Sequence, residues 1–282
     1  MRPWRAAEIL LDERYDNYHI LRRLPMETRV RLLEEVTRPV TKMAFWSQTK
    51  MDTARLRAYD ALKTENVYTT DDHQRMTRLG RHVNGDRLLM HARNNWTRMG
   101  NREKLRMIDR YARLMAREWG VKPQPIKLFV QAPNADGTVR MAVYDHDDGE
   151  IGLNWHPQAC RASFDRAIGA VTHEQMHAFQ QIRIDQFYDG KVFKSLREEL
   201  QVRLMKANYE DLGYIPPERY GPGIYRMQPI ERQAFLAQEA ITRMLRSPQA
   251  HLPHSMLSSA ERRPITGPVT QTRLTDLKSA QP

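Results

Sequence analysis

Through most of the first 120 positions, apolar residues recur three and four apart, the period of a helix that buries one face. The clearest stretch is NREKLRMIDRYARLMAREWG (101–120). There Leu105, Ile108, Tyr111 and Leu114/Met115 share one stripe, Asn101 offers an N-cap and Gly120 a stop. WRAAEILLDERYDNYHILRRL (4–24) and PMETRVRLLEEVTRPV (25–40) carry looser versions of the pattern. Pro25 suits a helix start, and Pro39 ends or kinks that helix. At residue 121 the period changes. VKPQPIKLFVQ (121–131) places an apolar run after two prolines and reads as a strand. TVRMAVYDHDDGEIGLNW (138–155) reads as two strands reversing at Asp148-Gly149. Helical spacing resumes after Ser163, a predicted N-cap, and again in KSLREELQVRLMKANYEDLG (194–213) and IERQAFLAQEAITRML (230–245). YIPPERYGPGIYRMQP (214–229) reads as a loop. From Ser247 the Pro, Ser, Thr and Gln content predicts a disordered tail.

Composition narrows this picture. The net charge is +11, from 45 Lys+Arg against 34 Asp+Glu. Such an excess favours polyanions, but here Arg alternates with acids along helical faces, which predicts a solvated surface. Trp4, Trp46 and Trp96, among basic residues, would suit a nucleic-acid surface, yet core or interface anchors are the commoner use, so nucleic acid is not the favoured partner. The single cysteine, Cys160, excludes an intramolecular disulfide and a Cys-based structural zinc site. The opening residues lack the apolar segment of a secretory signal, and no apolar run approaches the roughly 18 residues of a membrane span. The expected location is cytoplasmic, with leaderless export as an effector left open.

The stretch AVTHEQMHAFQQ (170–181) carries the chemistry. On a helix His173 and His177 stand one turn apart on the same face, where two imidazoles can share one Zn²⁺ and leave room for a third ligand and a water. Glu174 leans to the flank of that face, where a carboxylate can serve a zinc-activated water as general base. Small Gly169 and Ala170 allow close packing before the motif, and Val171, Met176 and Phe179 give the helix an apolar side. Upstream, GEIGLNW is a candidate edge strand along which a peptide can lie. For the third ligand, Glu198 and Glu199 are within reach of a helical return but read better as a charged face beside Arg197 and Arg203. Glu231 falls in the first turn of a helix opened by Pro229, with Ala234 keeping that helix thin. Tyr225 and His156 are candidate donors to a developing oxyanion, Tyr225 reading equally as a loop aromatic over the core. His146 reads as a turn residue.

A strand like VYDHDDGEIGLN, then HEQMHAFQ, then a distant Y-x-x-Q-P-x-E-R-x-A resembles the gluzincin-type zinc metallopeptidases, closest to small bacterial and phage-associated zincin-like domains. The resemblance covers about 101–246. It implies an α+β zincin-like catalytic domain over 101–246, with a small mixed sheet packed on the motif helix, behind a helical accessory domain over 1–100 and the tail 247–282. It implies that His173, His177 and Glu231 bind Zn²⁺, that Glu174 is the base, and that Ile151, Gly152, Leu153 and Asn154 align a protein or peptide substrate. The chain departs from metzincins, because AFQQIRIDQF after His177 holds no third histidine. It also lacks the thermolysin-like N-E-x-x-x-D pattern near Glu198, which favours Glu231. The expected function is hydrolysis of a peptide bond. The rival expectations are a non-catalytic binding module on the same fold, in a basic effector or mobile-element protein, and an amidohydrolase acting on a non-protein substrate.

Overall fold

A computed structural model describes residues 9–11, 21, 23–37, 48–62, 69–209 and 213–246. Trp4, Pro39, Trp46 and the tail 247–282 lie outside the described residues. The architecture is α+β: mostly helix, with one three-stranded mixed sheet.

The helices are α1 (Met26–Thr37), α2 (Gln48–Leu62), α3 (Thr70–Gly85), α4 (Arg87–Asn95) and α5 (Asn101–Trp119), before the strands. Local chemistry sets their ends. Asp72 and Thr69 form a reciprocal capping box at the start of α3, and the Asp86 carboxylate caps α4 through the Leu88 and Leu89 N–H groups. Gly100, in extended conformation, is the N-cap of α5, displacing the expected Asn101 by one residue because Glu103 reaches back to the Gly100 N–H at 3.1 Å. Gly120 ends α5 in the left-handed region, φ 67°.

The expected strands form β1 (Ile126–Phe129), β2 (Ala142–Asp145) and β3 (Glu150–Asn154), the last two reversing at Gly149, φ 65°. Their order is β1-β3-β2. β3 runs parallel to β1 and antiparallel to β2. β3 is therefore the central strand, hydrogen-bonded on both sides, and Ile151–Asn154 cannot be the open edge that the sequence suggested. The edge facing the motif helix is β2.

That helix, α6 (Phe164–Tyr188), starts as expected on Ser163, whose hydroxyl accepts the Arg166 N–H at 3.2 Å. α7 (Leu196–Tyr209) and α9 (Pro229–Arg246) follow the expected runs. The segment read as a loop instead contains α8 (Pro217–Tyr225), two short helical pieces joined across Gly221 (φ 81°) and Pro222. Proline fixes its own φ near the helical value and is tolerated at the start of each piece, so a Pro-rich stretch can still wind.

α6 separates two apolar cores. One gathers α3, α4, α5, the sheet, the first half of α6 and α9; the other gathers α1, α2, the end of α6 and α7. Ile151 and Leu153 of β3 are fully buried in the first, each stabilising the fold by roughly 1.5–3 kcal/mol. Met76, Leu79, Leu89 and Trp96, from before residue 100, share this core with Ile108, Phe164 and Ile241.

Candidate metal centre

His173 and His177 fall in the middle of α6, where one core gives way to the other. Gly169, one turn earlier, faces α9, and a Cβ there would stand 3.4 Å from Gln238 Cγ and Thr242 Oγ1, so the position takes only a small residue. This close packing brings the first turn of α9, and with it Glu231, over the two histidines.

The Nε2 atoms of His173 and His177 are 3.1 Å apart. Glu231 Oε2 lies 3.3 Å from His173 Nε2, and Oε1 lies 3.6 Å from His177 Nε2. Two donors about 2.0–2.1 Å from a zinc ion at tetrahedral angles stand about 3.3–3.4 Å apart, close to the separation of the two rings and to the approach of the Glu231 carboxylate to each of them. The residues are 8, 6 and 2 % exposed, and Glu231 Oε2 accepts no hydrogen bond. A buried carboxylate oxygen without a donor is costly unless a cation meets it. His173, His177 and Glu231 thus form a site that can hold a metal ion, and among the described residues they are the one group of three such side chains so placed.

The electrostatics prepare the ligands. Burial drives the His177 imidazole down to about 4, outweighing Glu231, so this ring is neutral near pH 7. Burial acts the same way on His173, but the Glu231 and Glu174 carboxylates overcome it and hold that ring above its ordinary range. For Glu231, the two histidines outweigh burial and keep the carboxyl below its usual range.

Glu174, one residue on, is also buried. Burial pushes its carboxyl up to about 7, with Glu231 adding to the rise and His173, the Tyr144 backbone N–H and Arg140 opposing it. The contact with Tyr144 locates the free sheet edge. The Met141 carbonyl accepts the Asn154 N–H at 2.9 Å, so ladder alternation turns Val143 inward to β3 and turns the backbone groups of Ala142 and Tyr144 outward. The general-base candidate therefore faces an open strand edge.

The remaining candidates are placed as follows. The Tyr225 hydroxyl stands near the Glu231 carboxylate, whose Oε1 accepts the Tyr214 hydroxyl at 3.5 Å, and the Tyr225 ring meets Tyr214 and Phe235 edge-on. His156 sits in the turn after β3, where its Nδ1 accepts the Gln158 N–H at 3.2 Å. Glu198 pairs with Arg183 and accepts the Lys194 N–H at the start of α7, so it is committed away from the histidines. Trp96 is a core residue whose indole N–H donates to the Arg161 carbonyl at 3.1 Å.

Several site residues escaped the sequence reading. His146, read only as a turn residue, is exposed in that turn between β2 and β3, and its ring also meets Tyr144 and Tyr209 edge-on, at centroid separations of 4.8 and 4.9 Å. The Tyr209 hydroxyl lies 3.3 Å from His177 Nδ1 and donates to Gln180 Oε1 at 3.2 Å. Gln180 itself was legible in principle, because its spacing of three from His177 puts it beside that ring.

Fold and site together define an α+β protein with a buried group of two histidines and one carboxylate, on two packed helices, that could hold a metal ion. Models of known protein families, curated proteins and solved structures give no match to this chain. No described helix is long and apolar enough to cross a membrane.

Proposed function

We propose that this chain is a zinc-dependent metallopeptidase of the zincin-like kind, in which His173, His177 and Glu231 hold Zn²⁺ and Glu174 is the general base. The observation that carries the reading is Glu174. A group that only held a metal for stability has no need of a buried carboxylate beside the ligands, and this one also faces the outward backbone groups of β2. A zinc ion bound there would supply a Lewis acid that lowers the pKa of a coordinated water toward 7 and polarises a scissile carbonyl.

The chain's own residues supply the rest. The outward N–H and C=O of Ala142 and the Tyr144 carbonyl can pair with an extended peptide, so the substrate edge belongs to β2 rather than to Ile151–Asn154. Glu174 takes a proton from the attacking water and returns it to the leaving amine. Tyr225, the better placed of the two donor candidates, can turn its hydroxyl from Glu231 toward an oxyanion.

The test is metal analysis of the purified protein together with a peptide-library cleavage comparison of wild type and Glu174→Gln. About one zinc per chain, with cleavage that needs Glu174, is expected. A protein that takes up no zinc, or cuts equally well as Glu174→Gln, would overturn the proposal.

A further inference from the structure

A continuous set of buried polar groups runs from His177 to the other side of the first core. His177 Nδ1 is 2.9 Å from Gln180 Oε1. The Gln180 amide nitrogen donates to the Ile230 carbonyl at 2.9 Å and to Gln233 Oε1 at 2.8 Å. Gln233 Nε2 in turn donates to Asp72 Oδ2 at 3.1 Å. The same Asp72 oxygen accepts the Thr69 N–H at 2.9 Å and the Thr69 hydroxyl at 3.1 Å in the capping box of α3. Asp72, Gln180, Gln233 and His177 are all buried, and Asp72 and Gln233 are 161 residues apart in the chain.

The donor and acceptor inventory gives this chain of bonds a direction. Asp72 Oδ2 already accepts both Thr69 donors, so Gln233 turns its nitrogen to that oxygen and its own oxygen to Gln180. Gln180 then spends its nitrogen on Gln233 and Ile230, which leaves its oxygen for the histidine. An amide oxygen cannot donate, so the His177 proton sits on Nδ1. The lone pair is on Nε2, the atom that faces His173 and Glu231.

We propose that Asp72, at the start of α3, is a positioning residue for the metal site: through Gln233 and Gln180 it sets which ring nitrogen of His177 is free to ligate. The proposal rests on the reading of His173, His177 and Glu231 as a metal site. It adds a long-range partner that no local pattern around the motif contains. Outer partners of this kind typically change metal affinity 10–100-fold. The Ile230 carbonyl holds one Gln180 hydrogen whatever Gln233 does, so losing Asp72 shifts the balance between the two ring forms rather than inverting it.

The experiment reads the ring directly. Long-range ¹H–¹⁵N spectra of the metal-free, ¹⁵N-labelled full chain report the His177 tautomer, and competition with a chelator reports zinc affinity. Wild type is expected to show the Nδ1–H form. Asp72→Ala is expected to add the Nε2–H form and to weaken zinc binding by about tenfold, near the lower end for an outer partner. Asp72→Asn should restore both, because its amide oxygen can take the same three donors. Gln233→Leu cuts the relay while leaving the Thr69–Asp72 capping box in place, so it decides the matter if Asp72→Ala folds poorly. Wild-type tautomer and affinity in Gln233→Leu would overturn the proposal and leave Asp72 as a helix cap only. If the wild type binds no zinc, the proposed function fails, and the tautomer spectra still decide the relay.

Discussion

The polar groups buried around α2 and α7 and those at the middle of α6 are held in opposite ways. Around α2 and α7, polar side chains are closed on each other. Asp52 and Arg55 pair at 2.7 Å, Arg55 Nε also donates to the Val36 carbonyl, and Asn208 binds Gln228 and the Ile230 N–H. At the middle of α6, Glu231 Oε2 and His173 Nδ1 take no hydrogen bond. Closed networks hold a fold in one arrangement, whereas a buried polar atom without a partner calls for one, and at the middle of α6 a metal ion would supply it.

The strongest way to break this contrast is to cross the two regions. Glu231→Ala should abolish stoichiometric zinc uptake, measured by metal analysis after dialysis. Asp52→Ala strands the Arg55 guanidinium in the interior and should cost about 3–5 kcal/mol in denaturant unfolding, while zinc affinity stays within about twofold. If Asp52→Ala abolished zinc binding in a folded protein, the separation of the two regions would be wrong. Glu174→Gln tests the open region from within: turnover should fall by about 10²–10⁴ with zinc content unchanged.

Acidity distinguishes the two histidines. In the metal-free protein His173 is held above its ordinary range and His177 is held down to about 4. Zinc must displace a proton only from His173 until the pH approaches 4. Affinity should therefore fall with acid by about tenfold per pH unit below the His173 pKa, a slope near one proton. A slope near two between about pH 5 and 6 would show that both rings titrate together. The smallest effect is expected at Gly169. Alanine there meets ordinary contact distances and should change stability by less than about 1 kcal/mol. Leucine should overpack against Gln238 and Thr242 and cost about 1–3 kcal/mol.

These regions also differ in how far the sequence revealed them. Helical periods, the two-strand reversal at Gly149 and the Ser163 cap are local signals, and the structure keeps each of them. His173, His177 and Glu231 were legible because a helix turn and a first-turn carboxylate are local too, and the structure brings the three together. The order of the strands was not. Which neighbour β3 takes on its second side depends on β1, paired to it from the far side of the β2 hairpin, and nothing within GEIGLNW encodes that. The helix in 214–229 was hidden because prolines that start helices look like prolines that prevent them. Asp72 was hidden for a third reason: its local role as a cap accounts for it fully until Gln233 is packed against it.

α6 runs for 25 residues, about 37 Å, and supplies a wall to both cores. Neither core can open without uncovering that shared wall, so buried amides in both halves should exchange with solvent at a common, slow rate. An ion gripped at its midpoint would then protect backbone far from any ligand. Zinc at about 100 times its dissociation constant should slow exchange about 100-fold even in α1 and α2.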